Sequence, residues 1–477
     1  MKDDITALSI KALTEAFDKR EVSSVEATKA CLARIKNSDL NNYITVCESE
    51  ALSCAEKADE SRKNGEGGPL TGVPIAVKDN ISTEGVLTTC ASKFLQNYVP
   101  PFDATVVEKL KKAGAVIIGK TNLDEFAMGS TNENSAFGAV KNVKDKSRVP
   151  GGSSGGSANA VASFEAYAAL GSDTGGSIRQ PASYCGVVGL KPTYSAVSRY
   201  GLVAFASSLD QIGPLARTTD DALTVLKAIV GRDSLDTTSA NAPALPAALD
   251  GNIKGKTIGV AEQFLTGADK AVAAQFDKAI AAAEKLGARI KKVSISSFDA
   301  ALAVYYVISS AEAASNLSRY DGVKYGMRAD KFSDIADLYT KSRTAYFGSE
   351  VKRRIMIGNY VLSSGYYDAY YLKASKVRTV IMREFDAALS GCDGILCPTA
   401  PTVAPKIGAQ TTPAETYLSD VYTVPVNIAG LPAVSVPFGE ADGLPVGVQV
   451  IGKAFDEGGI LNIAKALEVS AKGGAAC

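Results

Sequence analysis

The chain has 477 residues, 46% of them hydrophobic and 21% charged, with 51 Lys and Arg balanced by 51 Asp and Glu. That is ordinary globular composition, and zero net charge without a long basic run excludes a free-standing nucleic-acid binder, which carries a basic footprint. The chain contains no histidine, which removes Ser-His-Asp and Cys-His mechanisms, histidine metal sites and imidazole acid–base chemistry together.

Residues 7–36 read as two helices, the first with Leu8, Ile10, Leu13 and Phe17 on one face and the second with Val25, Ala27, Ala30, Leu32 and Ile35. Ser61 to Gly68 is polar and glycine-rich, hence a loop. Val73 to Val77 is a short apolar strand running into Lys78-Asp79-Asn80. Asp103 is placed to cap a helix carrying Val106, Val107 and Leu110. Gly114 closes that helix, and Ala115 to Ile118 follows as a buried strand. A second helix–strand unit starts at Thr219 as N-cap, with Leu223, Leu226 and Val230 on one face and Gly231 as the stop. Arg232 to Gly251 is an exposed connection and Lys256 to Val260 a strand. Val272, Phe276, Ala279, Ala283 and Leu286 form a helix stripe stopped by Gly287, and Ile290 to Ile295 reads as a strand. Gly394 to Cys397, Ala433 to Pro437 and Val446 to Ile451 read as strands and Ile460 to Leu467 as a closing helix. Strands alternating with helices imply a sheet covered on both faces.

The eight cysteines, at 31, 47, 54, 90, 185, 392, 397 and 477, are scattered without a CxxC pair and read as free thiols of a reducing compartment. Met1-Lys2-Asp3-Asp4 leads into an amphipathic stretch with no signal-type apolar run. No segment reaches the roughly 18 apolar residues of a membrane span. The expectation is a soluble cytoplasmic protein.

Gly114 to Thr121 fits the phosphate-loop pattern GxxxxGK[ST], but its intervening residues Ala-Val-Ile-Ile are the strand itself, whereas a phosphate loop follows a strand. Gly151-Gly152-Ser153-Ser154-Gly155 matches a nucleophile elbow, yet that elbow works with a histidine the chain lacks. Its context, Val149-Pro150 before and Ala158 to Val161 after, points to a tight turn into a helix N-terminus. Gly171 to Pro181 follows a strand-like Tyr167 to Leu170. There Gly175 and Gly176 precede Ser177, so the backbone can bend and turn several N–H groups toward one point, as an oxyanion hole requires. An ordinary strand-to-helix turn explains the same run equally well. A serine without histidine can be activated by a neutral lysine. Bringing a lysine from about 10.4 to about 7–8 takes roughly 4 kcal/mol, which desolvation supplies. Lys78, at the end of an apolar strand, fits that need.

Gly72-Val73-Pro74-Ile75-Ala76-Val77-Lys78-Asp79, Pro150-Gly151-Gly152-Ser153-Ser154-Gly155-Gly156-Ser157 and Gly171-Ser172-Asp173-Thr174-Gly175-Gly176-Ser177-Ile178-Arg179 together resemble the amidase signature family in order and spacing. Lys120 to Gly129, Val351 to Met356, Ser363 to Tyr371 and Pro425 to Pro432 are similar to its tRNA-dependent amidotransferase branch. The resemblance implies an α/β fold, an α/β/α sandwich with a central mixed twisted sheet covered by helices. It implies one amidase domain over 1–477: an N-terminal helical part at 1–60, the catalytic motif core at 61–235, and the remainder of the sheet with the substrate-binding part at 236–477. It implies Lys78 as base, Ser153 as bridging serine held by a cis peptide, and Ser177 as nucleophile, with the backbone of Thr174, Gly175, Gly176 and Ser177 as oxyanion hole. Glutamine would be held by Arg354 and Asp420 with Tyr305 or Tyr306 nearby, the choice of Arg353 or Arg354 being open. The implied reaction releases ammonia from glutamine, through a glutamyl ester, for transamidation of Glu-tRNA(Gln) and/or Asp-tRNA(Asn). No metal or cofactor is expected on this chain. ATP and Mg are expected on a larger tRNA- and ATP-binding partner, with a small third subunit in the complex and the tRNA held mainly by the larger partner. The alternatives are a free-standing amidase on another small amide or a catalytically silent assembly subunit. Lys472 to Cys477 maps onto nothing in the resemblance.

Overall fold

Val73 to Lys78 shows no polar alternation, as a strand covered on both faces requires, and in the computed structural model, which describes residues 4–409 and 412–473, it lies inside the sheet. The strands are β1 (Tyr43–Val46), β2 (Pro74–Lys78), β3 (Val116–Thr121), β4 (Ala168–Asp173), β5 (Val188–Lys191), β6 (Gln211–Ala216), β7 (Thr257–Val260), β8 (Arg289–Lys292), β9 (Gly394–Pro398), β10 (Ala433–Ala441) and β11 (Leu444–Ile451). Among the described residues they form one mixed sheet ordered β1-β3-β2-β4-β6-β5-β10-β11-β9-β7-β8. β2 is parallel to both β3 and β4, and β7 to both β8 and β9, while the strands between these groups pair antiparallel. Every residue of β2, β3, β4, β6 and β11 is buried. Because neighbouring side chains of a strand point to opposite faces, helices must cover both. The expected α/β sandwich is the observed fold.

Two apolar cores hold it. The larger joins β2–β6 and β10–β11 to the helices Ile10–Asp18, Thr105–Lys112, Thr219–Ile229 and Glu457–Ala471. The second lies under the helices Phe298–Asn316, Ser349–Leu362 and Lys373–Ser390. The parallel arrangement brings the C-terminal ends of β2 and β4 side by side, with Val77 opposite Leu170. Lys78 and the turn after Asp173 therefore open at the same edge of the sheet, where parallel sheets place their ligands.

Several sequence expectations shift. The helix Thr105–Lys112 is not capped by Asp103: its N-cap is Ala104, and Asp103 instead accepts from Glu84 N (2.8 Å) and pairs with Lys111 (2.6 Å). Thr218, not Thr219, caps the helix Thr219–Ile229 by accepting from Asp221 N, while the Thr219 hydroxyl donates to Glu468, and Val230 lies beyond the helix end. The strand expected over Ile290 to Ile295 is β8, which ends at Lys292. The loop expected from Ser61 starts later, because the helix Glu48–Lys63 runs through it. The phosphate-loop letters fall in β3, and Lys120 Nζ is buried against Ile81 O (2.8 Å), Thr88 Oγ1 (2.6 Å) and Asp79 (3.4 Å), with no reach to a phosphate. The seven described cysteines are unpaired. Cys477, with Gly474 to Ala476 and Met1 to Asp3, lies outside the described residues. Among the described residues no helix is long and apolar enough to cross a membrane.

Candidate active site

β2 delivers Lys78 into a fully buried position. Its Nζ lies 2.8 Å from Ser153 Oγ, 2.8 Å from Ser154 Oγ, 2.9 Å from Ser172 Oγ and 3.2 Å from Ser172 O. Ser154 spends its hydroxyl hydrogen on Ser172 O (3.1 Å) and so accepts from the lysine, while Ser172 Oγ also accepts from Asn80 Nδ2 (2.9 Å). Among the described residues Ser153 Oγ has the lysine as its one partner. Burial pushes the ammonium pKa down to about 7, with the carboxylates of Asp124, Asp173 and Asp210 pulling the other way. A fully desolvated amine with no carboxylate in contact favours its neutral form, which is the form a base requires.

Ser153 follows a cis peptide bond from Gly152, and the helix Gly155–Ala162 starts directly behind it, the turn into a helix expected from the sequence. Gln180 Oε1 accepts from Gly152 N (3.0 Å) and Asp124 N donates to Ser153 O (3.3 Å). Ser154 N donates to Ser177 O (3.1 Å), so the turns carrying the two serines are tied backbone to backbone. Ser177 is nearly buried, and among the described residues its hydroxyl has no hydrogen-bond partner.

The turn from β4 to Ser177 is built around Asp173. Its carboxylate accepts from Gly176 N (2.8 Å), Ile178 N (3.1 Å), Asn427 Nδ2 (2.8 Å) and two nitrogens of Arg179 (3.0 and 3.1 Å). Burial would raise the Asp173 pKa, but the Arg179 guanidinium holds it down at about 2. Gly176, at φ +133, takes a backbone conformation that glycine allows. Its N–H is committed to Asp173, so of the four residues expected in an oxyanion hole, Thr174, Gly175 and Ser177 keep N–H groups without a protein partner among the described residues. Thr174 Oγ1 donates to Asp210 (2.7 Å) and Thr423 Oγ1 to Gly175 O (2.7 Å), fixing the turn from both sides.

The expected substrate groups gather beside this turn. A Cβ at Gly175 would come within 2.7 Å of the Tyr305 ring. Arg354 is 3% exposed, whereas the Arg353 side chain is 42% exposed, so Arg354 is the one that faces inward. Its guanidinium sits 4.4 Å from the Tyr306 ring and 4.9 Å from the Tyr417 ring, which stack on each other at 3.9 Å. Arg354 Nη1 is buried with no partner, and so is Asp420 Oδ1. Asp420 Oδ2 accepts from Ser130, and burial pushes the Asp420 pKa up to about 8. Two of the buried polar atoms that lack a partner thus stand at this site, one on a cation and one on an acid.

Sequence reasoning missed Asp173, Arg179, Ser154, Ser172, Glu350 and Tyr417. Glu350 carried a signal, since its spacing to Arg354 is the i, i+4 of a helical ion pair. The others become partners through the fold alone.

The sequence profile of the family described as Amidase matches residues 26–461. The chain is 57% identical over 475 residues to the A subunit of the glutamyl-tRNA(Gln) amidotransferase of Caldanaerobacter subterraneus, with 98% of this chain and 97% of the relative covered. It is 53% identical over 468 residues to that of Geobacter metallireducens, covering 97% and 96%. The crystal structure of the corresponding glutamyl-tRNA(Gln) amidotransferase chain of Thermotoga maritima superposes with TM-score 0.82 at 44% identity over 98% of this chain and 96% of that one. The native peptide amidase of Stenotrophomonas maltophilia superposes with TM-score 0.83 at 32% identity over 98% and 97%.

Proposed function

The chain belongs to the amidase signature family, and we propose that it is the glutamine-hydrolysing subunit of a tRNA-dependent amidotransferase, supplying ammonia for transamidation of Glu-tRNA(Gln), Asp-tRNA(Asn) or both. Relatives named as the A subunit of such an enzyme, matched over nearly the whole of both chains, support a role within an amidotransferase. The observation that carries the glutamine reading is the pair of orphaned atoms. Arg354 Nη1 offers a cationic donor for an α-carboxylate and Asp420 Oδ1 an acceptor for an α-ammonium.

In this mechanism neutral Lys78 takes the hydroxyl proton of Ser153 as Ser153 takes that of Ser177. Ser177 Oγ attacks the side-chain amide carbon, and the oxyanion is held by the free N–H groups of Thr174, Gly175 and Ser177. The proton returns through Ser153 to the leaving nitrogen, ammonia departs, and a glutamyl ester remains on Ser177. Water, deprotonated along the same chain, attacks the ester and releases glutamate. No cofactor enters these steps. ATP and Mg are assigned to a larger partner that also holds the tRNA, with a small third subunit in the complex.

The test is ammonia release from glutamine by the chain with and without its partner subunits. Ser177→Ala is expected to abolish release and leave the fold intact. Arg354→Ala is expected to lower kcat/KM for glutamine by about 10- to 150-fold, from the roughly 1.5–3 kcal/mol of a charged hydrogen bond, and to spare a simple neutral amide. Equal losses on both substrates would refute the glutamine assignment and favour a free-standing amidase.

A further inference from the structure

Arg354 alone does not account for the way its guanidinium is presented. On the helix Ser349–Leu362, one turn before it, Glu350 is buried with its carboxylate turned to the same spot. Glu350 Oε1 accepts from Arg354 Nε at 2.7 Å and from the Tyr417 hydroxyl at 2.8 Å, and Oε2 is paired with Arg353. One oxygen thus receives a donor from each of two elements, the helix that carries Arg354 and the segment around Pro413–Leu418 that leads directly to Asp420. The Tyr306 and Tyr417 rings, stacked at 3.9 Å, wall the guanidinium. With Nε tied down and the rings confining its plane, the guanidinium is left with Nη1 unpartnered in a buried place. An unsatisfied buried donor is destabilising by about 1–3 kcal/mol, a cost that a bound carboxylate at Nη1 would offset.

We propose that Glu350 is a positioning residue for substrate specificity: it orients Arg354 for a ligand carboxylate and, through Tyr417, fixes the distance between that arginine and the Asp420 segment. The proposal rests on the glutamine reading above and deepens it. The recognised class is an α-amino acid amide, because Arg354 Nη1 offers a donor for a carboxylate and Asp420 Oδ1, whose acid is ionised by an incoming ammonium, an acceptor for that ammonium. Arg353, the outer arginine, serves the second carboxylate oxygen of Glu350 and does not face the ligand. A fork held in one orientation loses less conformational freedom on binding than a free arginine, so the gain appears in ground-state affinity.

The experiment is steady-state glutaminase kinetics of the chain in its assembled enzyme, in the parent and in an Arg354→Lys background, which keeps the charge and loses the fork. Glu350→Ala is expected to raise KM for glutamine by about 10-fold, on the scale of one charge-assisted hydrogen bond, with kcat changed less than about 2-fold by the same argument. Glu350→Gln, which keeps a neutral acceptor and is the conservative choice if the alanine variant fails to fold, is expected to lie between. Tyr417→Phe removes one of the bonds, keeps the ring stack, and is expected to move KM in the same direction by less. In the Arg354→Lys background Glu350→Gln is expected to change KM little, because residues acting through one another are not additive. Unchanged KM in both Glu350 variants, a fall in kcat at constant KM, or the same fold-change in both backgrounds would each overturn the positioning role. Arg354→Lys leaving glutamine KM unchanged would instead overturn the carboxylate clamp itself.

Discussion

Replacing Lys78 by methionine tests the proposed base without any substrate. Methionine has similar length, no charge and no proton to lose, so the substitution removes the titration and the Nζ contacts together. Holding the pKa at about 7 instead of 10.5 corresponds to about 5 kcal/mol by linkage, given one unit as roughly 1.4 kcal/mol. The unfolded lysine keeps its proton up to 10.5 and the folded one releases it near 7. Between these values the unfolded state binds more protons, so this group makes the parent more stable as pH rises. Below 7 both states are protonated and the full destabilisation is present. Above 10.5 it is gone. Against this, the substitution loses the contacts of Nζ to Ser153, Ser154 and Ser172, about 1 kcal/mol each. At pH 7 the methionine variant is therefore expected to exceed the parent by about 1 kcal/mol, and at pH 10, where most of the penalty is gone, to be less stable by about 2 kcal/mol on the same figures, a swing of about 3–4 kcal/mol between the two. Urea unfolding of both proteins at pH 7 and 10 measures the difference, in which groups common to the two cancel. A difference that stays constant across that range would mean that Lys78 keeps an ordinary lysine pKa in the fold, and the neutral-base mechanism would fall with it.

Lys78→Arg keeps a cation that does not deprotonate near neutral pH, so its glutaminase rate should be as low as that of Lys78→Met; substantial turnover would assign Lys78 an electrostatic role. Burial holds Asp420 protonated below about pH 8, whereas an ammonium ligand favours the carboxylate, so KM for glutamine should fall as pH rises from 6 to 8, and Asp420→Asn should flatten that dependence. Gly175→Ala places a methyl group within 2.7 Å of the Tyr305 ring, which must then move. Circular dichroism should show an intact fold, kcat/KM for glutamine should drop at least about 10-fold on the scale of one misplaced interaction, and retained activity would show that Tyr305 has no part in the site.

What the sequence disclosed followed from local patterning. The apolar run before Lys78 marked β2 because a strand covered on both faces has no polar alternation. The glycine pair before Ser177 marked a turn because Gly176 adopts a positive φ. The helices from Phe298 to Ser390 went unassigned, although they carry Tyr305, Tyr306 and Arg354. Their charged and aromatic residues form clusters such as Tyr360-Tyr366-Tyr370 in place of a clean apolar stripe, so a 3.6-residue period is blurred. The helix Glu48–Lys63 was hidden for a simpler reason: Ala51, Ala55 and Ala58 are its buried face, and alanine carries little periodic signal. The Asp173–Arg179–Asn427 network could not be read in advance, since its members are separated by up to 254 positions and meet only when β4 and the segment after Tyr422 are brought together. The choice between Arg353 and Arg354 likewise waited on the helix phase, because neighbouring residues point in different directions from a helix.

The sheet has a far edge, β8, and its four residues are Arg289-Ile290-Lys291-Lys292, three of them exposed cations. An open edge is a row of unpaired backbone groups that a stray strand from another molecule can extend, and positive charge on a very short strand is how natural sheets discourage that. The partner strand β7 is parallel, so an intruder would have to bring its own register past three like charges. The cations at 289, 291 and 292 therefore bear on colloidal behaviour. They discourage the sheet from gaining a further strand from a neighbouring molecule, and their neutralisation would open that rim to edge-to-edge pairing.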